Sequence, residues 1–167
     1  MKISVQNVVI GTFVPNLEHL VVFLDKGAAH ATAKKFETSV LVNARLAPDM
    51  FPLSRQIQIA CDAAKNGSAR LAAQEAPKFE DKETTLDELR ARVVRTIEYL
   101  KSIPASAFEG AEDRDIKIPV RERTLEMKGL PYLTSWALPN FYFHVTASYA
   151  ILRHNGVELG KNDFLGL

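Results

Sequence analysis

The sequence of 167 residues has little cysteine, no marked excess of charge and no long apolar run. Its single cysteine, Cys61, excludes an intramolecular disulfide and any Cys-x-x-Cys metal site. Lys and Arg total 21 against 20 Asp and Glu, a balance that argues against general electrostatic attraction to nucleic acid or anionic lipid. No run reaches the roughly 18 apolar residues that a transmembrane helix needs. We therefore predict a cytoplasmic protein with neither a nucleic-acid nor a membrane partner.

The short motifs of the common enzyme classes are also missing. The sequence contains no nucleophile elbow, phosphate-binding loop, GxGxxG, HExxH or DxDxDG pattern. Its first twenty residues lack the arrangement and cleavage site of a signal peptide. A chain of this length fits one domain, so we predict a single domain over residues 1–167. Its function has to be sought in individual polar residues.

Apolar residues recur at the helical spacing of three and four in four segments of the chain. The first segment is centred on residues 17–24. Residues 39–42 are predicted to form a short helix. The second long helix follows Pro52, and we expect it to continue through Asn66-Gly67, because one internal glycine costs only about 1 kcal/mol.

The third helix has the clearest start signal. Thr85-Leu-Asp-Glu88 is a capping box, in which the Thr hydroxyl and the Glu carboxylate each accept a hydrogen bond from a free backbone N–H. Leu86, Leu89 and Val93 begin its apolar stripe. We expect the charged side chains of the opposite face to be solvated: Glu88, Arg92, Arg95 and Lys101.

The period changes between residues 113 and 128. Apolar and polar residues alternate on both sides of Arg121-Glu-Arg123, a pattern typical of a β-hairpin. The fourth helix, predicted over about residues 131–153, is apolar on nearly all sides and should be kinked at Pro139. The predicted fold is all-α: a four-helix bundle with a small β-hairpin between the third and fourth helices.

The most informative polar pair lies on the fourth helix. Asn140 and His144 are four residues apart, so their side chains point the same way, one turn apart. Neutral imidazole is a good ligand for zinc, nickel or iron, and bundles build metal sites from such pairs. The alternative is that His144 is a core histidine satisfied by a hydrogen bond.

Three further residues are candidates for a site. Asp49, between two prolines before the second helix, could cap that helix or act as an oxygen ligand or base. Gln56, in the first turns of the same helix, could face the same interior as Leu53 and Ala60. Trp136 belongs to an aromatic cluster that either lines a pocket or packs in the core or in a dimer interface. Cys61, among apolar neighbours, is expected to be an inert buried thiol.

Two segments resemble a known superfamily. They are RLAPDMFPLSRQIQIACDAA (residues 45–64) and ALPNFYFHVTASYAILRHNGVELGKNDFLG (residues 137–166). They are similar to an uncharacterised bacterial and fungal subfamily of the DinB/YfiT-like four-helix bundles. The resemblance implies that fold, commonly a homodimer, and a divalent metal held by a His on helix two and an HxxxH pair on the last helix.

The metal ligands of that superfamily are only partly matched. Asn140-x-x-x-His144 keeps the second histidine of the HxxxH pair, and the nearest candidates for the helix-two histidine are Asp49 and Gln56. The resemblance thus implies a metal site of His144, Asn140 and Asp49. One imidazole with an amide and a carboxylate is a poor zinc set, so we expect a weakly bound divalent metal such as zinc or nickel, or none.

Two functions follow from this pattern. In the first, the protein is a metal-dependent or His-assisted enzyme of hydrolase or thiol-transferase type. His144, Asn140 and Asp49 would then be catalytic, and Gln56 and Trp136 would bind the cofactor. In the second, it is a non-catalytic homodimeric bundle that binds a small apolar ligand or has a structural role. The first hypothesis requires that these polar side chains meet around one cavity.

Overall fold

The computed structural model describes residues 4–120 and 122–167. Residues 1–3 and Arg121, which belongs to the predicted hairpin turn, lie outside the described part. The chain is mostly helical with a small two-stranded antiparallel hairpin. Its elements, in chain order, are α1 (Val5–Lys34), α2 (Ser39–Val42), α3 (Leu53–Leu71), α4 (Leu86–Ser102), a 3-10 helix (Ala105–Phe108), β1 (Asp115–Val120), β2 (Arg123–Lys128), α5 (Gly129–Tyr132), a π-helical turn (Leu133–Ala137), α6 (Leu138–His154) and α7 (Lys161–Leu165).

The core lies between the four long helices. α1 packs along α4 and α6, and α3 packs along the same two helices. The apolar stripes seen in the sequence face inward, because each stripe removes its side chains from water only against a neighbouring helix. Side chains with no exposed surface come from all four: Phe13, Leu17, Leu20, Leu53, Ile57, Leu89, Val93, Leu100, Phe141 and Ile151.

Helix α1 is long and apolar enough, by length and composition alone, to cross a membrane. A buried core helix passes the same test, and α1 packs as one: its inner face, which includes Phe13, Leu17 and Leu20, is fully buried against the other helices. The absence of a membrane partner stays a prediction.

The local signals for α3 and α4 are confirmed. Asn66-Gly67 lies inside α3, and the Thr85 hydroxyl accepts from the Glu88 backbone N–H at 3.2 Å while the Glu88 carboxylate accepts from the Thr85 N–H at 3.1 Å. The expected cap at Asp49 is wrong. Pro52 is the N-cap residue of α3, and no side chain caps that helix.

The hairpin is confirmed, with Ile116 and Ile118 buried on one face of β1. The helix predicted over residues 131–153 is instead two helices, α5 and α6, joined by the π-helical turn. Pro139 has no N–H, and its ring crowds the carbonyl four residues earlier, at Ser135. That carbonyl lies inside the π-helical turn, which supplies the extra room through its wider spacing.

Candidate functional site

Helix α3 packs against α6 and the π-helical turn before it, and polar side chains line this contact. We call this contact the α3–α6 seam. It runs from Gln56 to Arg70 on α3 and from His144 to Tyr132 on the facing segment. At one end of this seam the His144 Nδ1 lies 2.7 Å from the Gln56 Oε1. The Gln56 Nε2 donates to the Phe51 carbonyl at 3.2 Å, which fixes which end of the amide faces the ring. His144 therefore carries its proton on Nδ1, and Nε2 keeps its lone pair.

The imidazole of His144 is held in the neutral form. Its side chain is only 7% exposed, and burial, with a smaller contribution from the nearby Arg55 charge, lowers the pKa of His144 to about 4. The ring of Phe143 lies edge-on to it, 5.1 Å between centroids. At neutral pH, Nε2 is thus a hydrogen-bond acceptor with no partner among the described residues.

We expect the stability of the protein to fall in acid because of His144. Its pKa is lowered in the fold from an ordinary value of 6.5 to about 4, so the unfolded chain binds the proton first. The stabilisation is complete above about pH 6.5 and is lost as the pH falls towards 4. Urea unfolding across this pH range should show that the free energy of unfolding falls less for His144→Gln than for the wild type.

His154→Gln is the matched control for this measurement, since His154 is exposed in the last turn of α6. Its pH profile should follow the wild type. An unchanged profile for His144→Gln would show that another group causes the acid sensitivity.

A small cavity of about 140 Å³ lies further along the same seam and is lined by neither His144 nor Gln56; Asn140, one helical turn before His144, belongs to its wall. Asn140 and Trp136, two of the residues singled out in the sequence, line it. Its other lining residues are Ile59, Asp62, Ala63, Asn66, Arg70, Tyr132 and Ala137. The seam thus joins four of the predicted site residues: His144 and Gln56 in direct contact, and Asn140 and Trp136 around the cavity.

Asp49, the fifth predicted residue, is not joined to them. Its side chain is exposed and forms neither a hydrogen bond nor an ion pair with any residue that the structure describes. The turn before α3 therefore presents this carboxylate to solvent rather than to the imidazole.

The side chains of the seam do not supply a ligand set that would hold a metal ion tightly. Within residues 4–120 and 122–167, no three His, Cys, Asp or Glu side chains lie close enough to share one. The Gln56 oxygen already accepts from His144, and the Asp62 carboxylate is paired with Lys65 and Arg92, which leaves one imidazole nitrogen and the Asn140 amide. Zinc and nickel need more nitrogen, sulfur or carboxylate ligands than this pair supplies.

A second polar group, the Arg92 cluster, was missed by the sequence analysis, which expected Arg92 in solvent. Arg92 is fully buried. It forms ion pairs with Asp62 at 3.1 Å, Asp81 at 2.9 Å and Glu83 at 3.1 Å. It also donates to the Glu80 carbonyl at 3.1 Å. The cluster therefore ties the connection between α3 and α4 to both helices.

The charge of Arg92 is secured by these partners. Burial by itself would lower the pKa of Arg92, but the hydrogen bond that Arg92 donates to Glu83 and the charge of Asp62 raise it above its usual value. Cys61, beneath the cluster, is fully buried, and burial raises the pKa of its thiol to about 12. The expected inert thiol is in keeping with this environment, because the nucleophilic thiolate does not form near neutral pH.

The residues that the sequence analysis passed over on α3 have a regular spacing. Asp62, Asn66 and Arg70 occur every fourth residue and so share one face of the helix. Opposite them, Tyr132, Trp136 and Asn140 have the same spacing. A search for polar residues at intervals of four on two separate helical segments could have found the cavity.

Comparisons with known proteins relate the whole chain to others. The family model described as a domain of unknown function, DUF1993, matches residues 6–165. The crystal structure of a DinB family member protein from Shewanella denitrificans is similar with a TM-score of 0.90 and 44% sequence identity, over 97% of this chain and 92% of that chain. No curated protein matches the chain.

Proposed function

This chain belongs to the DUF1993 family and is DinB-like, and on that premise we propose that it is a small-molecule-binding protein whose site is the α3–α6 seam. In this proposal the four long helices form a DinB-type bundle, with the hairpin inserted before the last helical segment. The bound molecule is small and polar, and it donates a hydrogen bond to His144.

The observation that supports the proposal is the chain of contacts from Phe51 through Gln56 to His144. Two hydrogen bonds, at 3.2 and 2.7 Å, orient one imidazole so that Nε2 is a fixed acceptor. A core histidine satisfied by one hydrogen bond accounts for Nδ1 but not for Nε2, which is unpartnered in the described part of the chain, and a binding group gains affinity from being positioned in advance. The polar cavity further along the seam provides room for the molecule.

Binding is favoured over acid–base catalysis. A general base works best with a pKa near the working pH, and the pKa of His144 is lowered to about 4. The seam also supplies no thiolate, since Cys61 is buried and protonated. The proposal therefore does not include the hydrolase or thiol-transferase activity that the resemblance implied.

The test is a screen of small polar fragments by saturation-transfer NMR against the wild type, His144→Leu and His154→Leu. Loss of one hydrogen bond of about 1 to 1.5 kcal/mol should weaken the binding of seam fragments about five- to tenfold in His144→Leu. His154→Leu should bind like the wild type. Long-range ¹H–¹⁵N spectra should show His144 protonated at Nδ1.

Two results would contradict the proposal. One is equal fragment binding by the wild type and His144→Leu. The other is elemental analysis that finds about one equivalent of a divalent metal in the wild type and none in His144→Leu, which would favour the metalloenzyme. Circular dichroism of each variant should first establish that it is folded.

We further propose that the protein is a homodimer and that the exposed aromatic surface near the seam forms the interface. Phe143 is 58% exposed and contacts the His144 ring, and Phe51, which is 53% exposed, is held next to Gln56 by its carbonyl. Large exposed aromatic side chains are enriched in interfaces. Sedimentation velocity should find a dimer for the wild type and for Leu130→Ser, and a monomer for Phe143→Ser. A monomeric wild type would contradict the proposal.

A further inference from the structure

We propose that the cavity of the α3–α6 seam binds a short monocarboxylate and that Arg70 is its anion-binding group. This inference rests on the proposed function, because it names the class of molecule that the seam would take. It concerns the cavity beyond Asn140 rather than the imidazole of His144.

Arg70 is a partly buried arginine without a carboxylate partner. Its described polar contact is with the Tyr132 hydroxyl, at 3.3 Å, and it forms no ion pair within residues 4–120 and 122–167. By contrast, Arg55, Arg90 and Arg92 are all paired with carboxylates. A guanidinium has five N–H donors in a planar fork that matches a carboxylate. The free fork of Arg70 therefore leaves a place for an anion.

Three further residues add N–H donors to the cavity, while its one carboxylate, Asp62, is already paired with Lys65 and Arg92. The amides of Asn66 and Asn140 and the indole N–H of Trp136 line it, and none of them forms a hydrogen bond with a residue in the described part of the chain. A tryptophan indole can only donate, and each amide supplies two N–H groups. Together with Arg70 they favour an acceptor-rich ligand with negative charge.

The size and the walls of the cavity limit the ligand further. A cavity of about 140 Å³ admits only a small molecule. Ile59, Ala63 and Ala137 form an apolar wall that suits a methyl or methylene group. Asp62 also lines the cavity, and its charge opposes any negative charge beyond the one that Arg70 balances. Acetate or glycolate therefore suits the cavity better than a dicarboxylate or an inorganic phosphate, which carry more negative charge.

The π-helical turn supports a binding role for this place. Trp136 and Ala137, which line the cavity, lie within that turn. Such turns are rare and occur frequently at functional sites. Here the turn lies directly opposite Asn66 and Arg70, so it shapes the wall that faces the anion.

Trp136 also provides the measurement, since it is the only tryptophan of the chain. Tryptophan emission, with calorimetry on the same samples, is followed as acetate, glycolate, acetamide, malonate and phosphate are added. Acetate and glycolate should give saturable changes in the wild type. Acetamide should bind to the wild type at least about tenfold more weakly than acetate does, and acetate should bind to Arg70→Gln at least about tenfold more weakly than to the wild type, because each change removes a charge from a strong hydrogen bond. Malonate and phosphate should also bind at least about tenfold more weakly, because Asp62 repels their additional negative charge. Arg153→Gln, which changes an exposed arginine of α6, should behave like the wild type.

The outcomes separate this inference from the proposed function. No saturable change with acetate or glycolate, or equal affinity of Arg70→Gln, would overturn the inference, as would equal binding of acetamide. Fragments that bind through His144 would leave the proposed function intact in each of those cases. If acetate depends on Arg70 but no ligand depends on His144, the inference stands and the proposed function fails. Asn66→Leu offers a second variant should Arg70→Gln fail to fold, and it should also weaken acetate binding.

Discussion

Arg92→Ala should lower the free energy of unfolding by about 3 to 5 kcal/mol, the usual cost of removing one partner from a buried ion pair. Arg92 is fully buried, and its guanidinium serves Asp62, Asp81 and Glu83 together. Glu83 is the carboxylate most destabilised by the loss of Arg92, because its side chain is only 7% exposed and its remaining cation, Arg95, is 3.8 Å away. Urea unfolding at neutral pH measures the loss.

Two variants make this test specific. Arg95→Ala removes a neighbouring arginine that is 55% exposed, and it should change stability by no more than about 1 kcal/mol, as exposed ion pairs do. Arg92→Lys keeps the charge but not the planar fork, so its stability should lie between those of Arg92→Ala and the wild type. A loss of less than about 1 kcal/mol for Arg92→Ala would show that the cluster is not the structural tie described above.

Gly129→Ala should destabilise the protein by about 3 kcal/mol or more, beyond the usual cost of an overpacked core. A Cβ at this position would overlap the carbonyl oxygen of Ala111 and lie 2.9 Å from its carbonyl carbon. The obstacle is backbone, and it is held there because the Leu130 N–H donates to the Glu112 carbonyl at 2.9 Å. The start of α5 must therefore move away from the segment before β1.

Gly11→Ala is the matched control, because the chemical change is the same and the surroundings are opposite. A Cβ at Gly11, inside α1, meets no atom within 4 Å, so the variant should be more stable than the wild type by about 1 kcal/mol through helix propensity. Thermal unfolding of both variants should give shifts of opposite sign. If Gly129→Ala left the unfolding temperature unchanged, α5 would be free to shift and make room for the added methyl group. In that case the adjoining π-helical turn, and the cavity it lines, would not be rigidly placed.

The start of α4, the hairpin and the inert thiol could be predicted because each depends on residues close together in sequence. The capping box spans Thr85 to Glu88, and the alternation that marks the hairpin covers residues 115–128. The polar pair on the last helix was visible for the same reason, since Asn140 and His144 are one turn apart. Gln56 was a candidate because its place in the first turns of α3 could face the interior, but its contact with His144, 88 residues away, could not be predicted from the sequence.

The errors arise where distant residues decide. Arg92 has the spacing of a solvated face of α4, yet Asp62, 30 residues away, and the connection between α3 and α4 cover it. Arg70 gave no signal in the sequence, because only the structure shows that it forms no ion pair in the described part of the chain. The π-helical turn was predicted only as a kink. A proline in the sequence shows that a backbone hydrogen bond is lost, but it does not show how the chain compensates for that loss.

The sequence by itself therefore determined the helices, the hairpin and which polar residues lie among apolar ones, because periodicity and capping are local properties of the chain. Only the tertiary structure decided which of those polar residues share a cavity, which are neutralised and which keep a free donor or acceptor. Hydrogen bonds and ion pairs act over about 3 Å, and that proximity between α3, α4 and α6 arises only once their apolar faces have packed together.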